Sequence, residues 1–211
     1  MTAPAIGDAP TPYAARLTVD YPERLDRLTT LLRAIWILPI AVIWSLVAGS
    51  GDGGRTGGAL FGGLWLAIVL MIAVRLVYPR WWFDFAREVT RFGARVGAYF
   101  ALLTDSLPST VDEQSVHLEI DYPDVRHDLN RWLPMVKCLL AIPHYVVLAF
   151  LWIGVVVAVI VAWFAILVTG RNPRALFDYV VGVNRWSLRV SAYAFLLVTD
   201  RYPPFSLREG V

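Results

Sequence analysis

An aspartate and two arginines occur twice in this chain at one spacing: Asp84, Arg91 and Arg95, then Asp178, Arg185 and Arg189. Offsets of seven and eleven from the aspartate, at about 100° per residue, place each trio on a narrow arc of one helix face. Tyr99 and Tyr193 lie one turn beyond the second arginine. Guanidinium groups hold phosphate and carboxylate bidentately. Trp81, Trp82, Phe83, Phe85 and Phe92 surround the first trio, and Phe177, Tyr179 and Trp186 the second. Arginines among such rings suit a helix lying at the headgroup level of a membrane, so anionic lipid headgroups are one ligand the pattern would take. The other role is structural: Asp and Arg pair with each other or across to the second copy, because buried charge has to be paired.

Other chemistry-bearing residues are few. His144 follows Pro143 inside an apolar run, and an ionisable residue in a membrane segment points to function. Its counterpart in the first half is Ile40 and no acid lies near it, which favours a hydrogen bond to a carbonyl freed by the proline. The three histidines, at 117, 127 and 144, lack ligand spacing, and the one cysteine is Cys138; no metal, disulfide or other cofactor is expected. The stretch GSGDGGRTGG lacks the Lys-Ser/Thr of a P-loop and reads as a linker. Neither Gly-x-Ser-x-Gly nor His-Glu-x-x-His occurs. Asp84 and Asp178 are the only carboxylates near both apolar runs and aromatic rings, without a nucleophile or metal partner, so no catalytic residue is assigned and an enzyme is the lesser expectation.

The elements that would carry these residues follow from periodicity. Residues 1–14 are Pro-rich, nearly uncharged and expected to be a disordered tail. Ala15 to Tyr21 and Ser115 to Tyr122 alternate apolar and polar residues, each ending in Asp-Tyr-Pro, and predict two strands. Leu31 to Val47, with Pro39 in the middle, and Leu60 to Tyr78 predict two membrane helices joined by the Gly-rich loop. Met135 to Thr169 is almost unbroken apolar; a single helix of that length would be roughly 50 Å, against about 30 Å of hydrocarbon. A tight hairpin at Phe150 to Gly154 is therefore expected, with Pro143 kinking its first arm. Arg33 and Lys137, in the first turns of their spans, read as snorkelling cations. A short edge strand is expected at Phe205 to Arg208.

Pro79–Asp105 and Pro173–Asp200 share Pro-Arg, Phe-Asp, both arginines, Ala-Tyr, Leu-Leu and Thr-Asp. The expected fold is thus mainly α and integral to the membrane. It is a tandem repeat (residues 15–109 and 110–211) of a strand, two kinked membrane helices and a long amphipathic interfacial helix, with a small cytoplasmic β layer. A re-entrant hairpin is the alternative to a spanning one. Composition agrees: 57% of residues are hydrophobic and 17% charged, against about a quarter charged in soluble domains. A net charge of +2 argues against a nucleic-acid partner. Of the basic residues only Arg55 falls in an expected hairpin loop, which predicts a multi-pass protein with both termini cytoplasmic.

The stretches LLAIPHYVVLAFLWI and GRNPRALFDYVVGVNRWSLRVSAYAFLLVTDRYPPFSL resemble the bacterial membrane family catalogued as domain of unknown function 4389. The second half carries the resemblance best, through Ile142-Pro143-His144, Thr169-Gly170-Arg171, Phe177-Asp178, Arg185-Trp186, Arg189, Tyr193 and Thr199 to Phe205; the first half is a diverged copy without the histidine. The resemblance implies a bacterial cytoplasmic membrane and brings no activity. The expectation that results is a non-enzymatic membrane scaffold or accessory subunit. It would bind anionic lipid through the paired Arg faces and assemble as a homo-oligomer or within a larger membrane complex. A small transporter or channel lined by the kinked helices, and a lipid-modifying enzyme using Asp84 or Asp178, are the alternatives.

Overall fold

A computed structural model describes residues 13–31, 33, 54–109, 114–125 and 129–209. The two alternating stretches form β1 (Ala15–Val19) and β2 (Val116–Ile120). They pair with each other, antiparallel, with Leu17 opposite Leu118, Ala15 opposite Ile120 and Val19 opposite Val116. Period-two alternation turns Ala15, Leu17, Val19, Val116, Leu118 and Ile120 into the core and the charged residues outward.

The helices whose bounds lie among the described residues are α1 (Gly54–Arg75), α2 (Arg80–Phe100), the short α3 (Lys137–Leu140), α4 (Ile142–Thr169) and α5 (Arg174–Ala194). Pro79 and Pro173 sit in extended conformation at the N-caps of α2 and α5, where a missing N–H costs nothing. Gly170, at φ 72°, closes α4 by donating its N–H to Ile166 O at 2.7 Å, the left-handed cap that glycine adopts without strain.

The expected multi-span tandem architecture is overturned. Among the described residues one helix, α4, is long and apolar enough to cross a membrane, and the sheet has two strands. The apolar part of α1, Gly62–Arg75, is shorter than a span. The expected first span, with Pro39, lies outside the described residues apart from Leu31 and Arg33. No hairpin turn interrupts α4 at Phe150 to Gly154: the helix runs for 28 residues, about 42 Å. Gly154 is a packing position there. A Cβ on it would stand 2.3 Å from Tyr179 Oη, and that hydroxyl donates to Leu151 O at 2.9 Å. Pro143 opens α4 instead of kinking a longer helix, the first-turn position proline tolerates. Part of the expected Gly-rich loop, from Gly54 onward, is the start of α1. Phe205 to Arg208 form a strap without strand pairing. Tyr13, at the end of the expected tail, is buried and donates to the carbonyls of Arg189 (3.3 Å) and Arg201 (3.1 Å).

The β-ribbon packs on α2 and α5, and several contacts occur in matched pairs. Tyr21 Oη donates to Asn172 O and Tyr122 Oη to Tyr78 O, each at 2.6 Å. Tyr21 meets Phe177 edge-on with ring centroids 5.0 Å apart, and Tyr122 meets Phe83 at the same separation. The Arg174 guanidinium lies 4.7 Å from the Tyr21 ring and Arg80 lies 5.2 Å from Tyr122. Asn172 Nδ2 donates to Leu102 O and Tyr78 Oη to Leu196 O. The tyrosines of the Asp-Tyr-Pro motifs thus anchor each strand's end to the segment entering an amphipathic helix.

Candidate functional site

Two buried cations organise the polar end of the molecule. Arg33 is 2% exposed; it lies 2.5 Å from Asp105 Oδ1 and donates to Tyr99 O (2.8 Å) and Thr104 O (2.9 Å). Its guanidinium sits 4.2 Å from the Tyr99 ring centroid. Lys137 is fully buried; it lies 2.7 Å from Asp200 Oδ1, donates to Thr199 O at 2.8 Å and sits 5.3 Å from the Tyr193 ring. Each aspartate takes a backbone N–H as well, Asp105 from Asp26 and Asp200 from Asn130. Burial pushes the Lys137 ammonium below its ordinary pKa, and the Asp200 carboxylate opposes that shift. These residues were expected to snorkel; they point into protein and meet the Thr-Asp pairs at 104–105 and 199–200. The sequence signal was present, since Arg33 corresponds to Lys137 and Thr104-Asp105 to Thr199-Asp200.

The Asp-Arg-Arg trios do not act as units. Asp84 and Asp178 point outward, paired along their own helices with Arg87 (3.3 Å) and Arg174 (4.0 Å). Arg91 pairs with Glu88 at 2.7 Å and reaches Leu118 O at 3.5 Å. Arg185 donates to Leu17 O at 2.8 Å and to Glu209 at 2.8 Å. Each helix therefore holds one strand of the ribbon by an arginine to a main-chain carbonyl. Arg95 donates to Ser109 O. Arg189, 4% exposed, donates to Arg208 O at 2.7 Å. Tyr99 and Tyr193 are buried beneath the cations just described.

Between β1, α5 and the C-terminal strap lies a cavity of about 200 Å3. It is lined by Tyr13, Arg16, Arg185, Arg189, Arg208, Glu119 and Glu209, among others. Arg16 is matched by Glu119 and Asp121 and Arg185 by Glu209. Arg189 has no carboxylate partner among the described residues, and its Nη1 has no hydrogen-bond acceptor there. Burial lowers the Arg189 pKa, Tyr13 opposing. Burial raises that of Tyr13, opposed by Arg189 and Arg201.

Residues 134–206 match the family model described as a domain of unknown function, DUF4389. No curated protein and no solved structure matches the chain. The matched segment contains Lys137, Asp200, Arg185 and Arg189, whereas Tyr13, Arg16 and Arg208 of the cavity come from outside it.

His144 lies within the matched segment and is fully buried. Its Nδ1 accepts the indole N–H of Trp186 at 3.1 Å, its ring stacks on Phe205 at 4.0 Å, and Tyr202 lies 4.8 Å away. An accepting Nδ1 is unprotonated, so the proton of the neutral ring is on Nε2, which has no partner among the described residues. The expected bond to a freed carbonyl is replaced by an aromatic cage that ties the strap to α4 and α5. Sequence reading missed Trp186 and Phe205 as His144 partners, since their separation along the chain, 42 residues for Trp186, hides them.

Proposed function

We propose that this protein is a membrane-associated, non-enzymatic scaffold that rests on lipid through α4 and binds anionic headgroups through the Arg face of α5. The exposure of α4 carries this reading. One stripe of the helix, His144, Leu148, Val155, Ala158, Ala162 and Ile166, is buried. The remaining faces are apolar yet open, Phe150 at 70% and Val168 at 76%, with Ile153, Val157 and Phe164 between them. Leaving such side chains in water forfeits about 1 kcal/mol each, and lipid removes that penalty.

The outward pairs of Asp84 and Asp178 with arginines of their own helices disfavour a catalytic role for either. The matched contacts of Tyr21 with Tyr122 and of Arg33 with Lys137 support reading the first half as a diverged copy of the unit that the DUF4389 segment represents. Self-assembly or docking on a membrane complex would use the same apolar faces.

Flotation tests the membrane reading. Purified protein freed of detergent in the presence of neutral phosphatidylcholine vesicles should float with them. Replacing Val157 and Phe164 by glutamate should leave most of it in the dense fraction, because charged side chains in the hydrocarbon cost about 2.5–3.5 kcal/mol each. Monodisperse wild-type protein remaining in the aqueous fraction would defeat the reading.

A further inference from the structure

Among the described residues, the cavity beside Arg189 holds more cationic than anionic side chains. Arg189 is 96% buried by its 4% exposure, lines the cavity, and leaves Nη1 without an acceptor among the described residues. A buried guanidinium lacking both a carboxylate and part of its hydrogen bonding is costly unless something completes it. The lining places four arginines, at 16, 185, 189 and 208, against two glutamates, at 119 and 209. The glutamates are taken by Arg16 and Arg185. Arg208 reaches the rim as an exposed side chain on the strap whose carbonyl already holds Arg189. The ladder adds donors of its own: Asp20 N–H and Ala14 O face β2, so the alternation turns the N–H of residue 17 toward the free edge of β1.

We propose that this cavity is a binding site for a single phosphate group, with Arg189 as its buried anchor and Arg208 as a closing arm. About 200 Å3 is more than one phosphate group fills, so the cavity also admits part of what the phosphate is attached to. A phosphate supplies acceptor oxygens that arginine engages bidentately. Glu209 sets the selectivity: it draws Arg185 away at 2.8 Å and opposes a second negative charge. The site rests on the reading that the Arg face of α5 takes anions, and not on the placement of α4 in lipid. The phosphate could come as the free ion or as a monoester headgroup at the membrane surface.

The experiment uses the full chain, first in neutral detergent with inorganic phosphate as the probe, then in nanodiscs of phosphatidylcholine with or without phosphatidic acid. Thermal unfolding and calorimetric titration are the readouts. Phosphate should raise the melting temperature of the wild type. Arg208→Ala, at an exposed position, should melt like the wild type without ligand and bind about tenfold more weakly. Arg189→Met should abolish the response, and Glu209→Gln should tighten binding severalfold. Saturation in detergent identifies the free ion as sufficient; a response to phosphatidic acid alone, weakened in Arg208→Ala and lost in Arg189→Met, identifies the headgroup. Absence of a response to either probe, or equal binding by wild type, Arg208→Ala and Arg189→Met, overturns the site. Flotation on neutral vesicles is indifferent to Arg208→Ala, so its failure bears on the membrane reading alone.

Discussion

Asp200→Asn removes the countercharge of a fully buried lysine while keeping an oxygen to accept the Asn130 N–H. Breaking one side of a buried pair costs about 3–5 kcal/mol. Lys137 keeps its bond to Thr199 O at 2.8 Å and the Tyr193 ring 5.3 Å away, which argues for the lower part of that range. The loss also has a ceiling. A lysine of ordinary pKa, about 10.4, is neutralised at pH 7 for about 4.6 kcal/mol, so no larger charge penalty can persist. The predicted loss is therefore about 3–4.5 kcal/mol, or on the order of 10 °C in melting temperature for a chain of this size.

The pH dependence fixes the mechanism. Burial already places Lys137 below its ordinary pKa, and removing Asp200 lowers it further. Between the folded and unfolded pKa values the unfolded chain binds more protons, so stability rises with pH. The Asp200→Asn deficit relative to wild type should shrink steadily from pH 7 to 9.5 in urea or thermal unfolding of the detergent-solubilised protein. Asp105→Asn supplies the contrast: Arg33 cannot deprotonate in that range, so its deficit should stay flat. The double change Lys137→Met with Asp200→Asn should recover most of the loss, since apolar isosteres commonly replace buried pairs without cost. A deficit below about 0.5 kcal/mol, or one as flat with pH as that of Asp105→Asn, refutes the argument.

Other outcomes follow from packing and protonation. Gly154→Ala would set a methyl 2.3 Å from Tyr179 Oη and should cost about 1–2 kcal/mol in unfolding assays; Tyr179→Phe in the same chain should restore much of it by removing the clashing oxygen. Trp186→Phe strips His144 Nδ1 of its buried donor, with an expected loss of about 1–2 kcal/mol. Tyr13 and Tyr78 are buried and held above their ordinary pKa chiefly by desolvation; the folded chain therefore keeps protons the unfolded chain loses, and stability should hold to about pH 10 and fall beyond it. Tyr78→Phe should soften that alkaline decline.

Local pattern made much of the fold legible. The alternation at Leu17 and Leu118 marked both strands, and the amphipathic period marked α2 and α5. The apolar run ending at Thr169 marked α4 but misled about its course. Length, with the loop at the matching place in the first half, favoured a hairpin near Phe150 to Gly154, whereas a glycine serves equally as a turn or as a groove for a ring. Which of these it is depends on Tyr179, 25 positions further on in the chain. The Asp-Arg-Arg stripe was legible as spacing and misleading as a unit: Asp84 and Asp178 turn to neighbours one helical turn away, and the arginines turn to strand and strap carbonyls.

By itself the sequence determined what depends on neighbours within a few residues: strand alternation, helix faces and the apolar character of α4. Only the tertiary structure decided where charge is buried. Lys137 and Asp200, like Arg33 and Asp105, are far apart in the chain, and a cation's fate, snorkelling into water or pairing inside, is set by whether a carboxylate arrives beside it. The same holds for Arg189: its spacing announced an arginine on a face, and its burial against Tyr13 and the strap leaves one enclosed guanidinium nitrogen without an acceptor among the described residues.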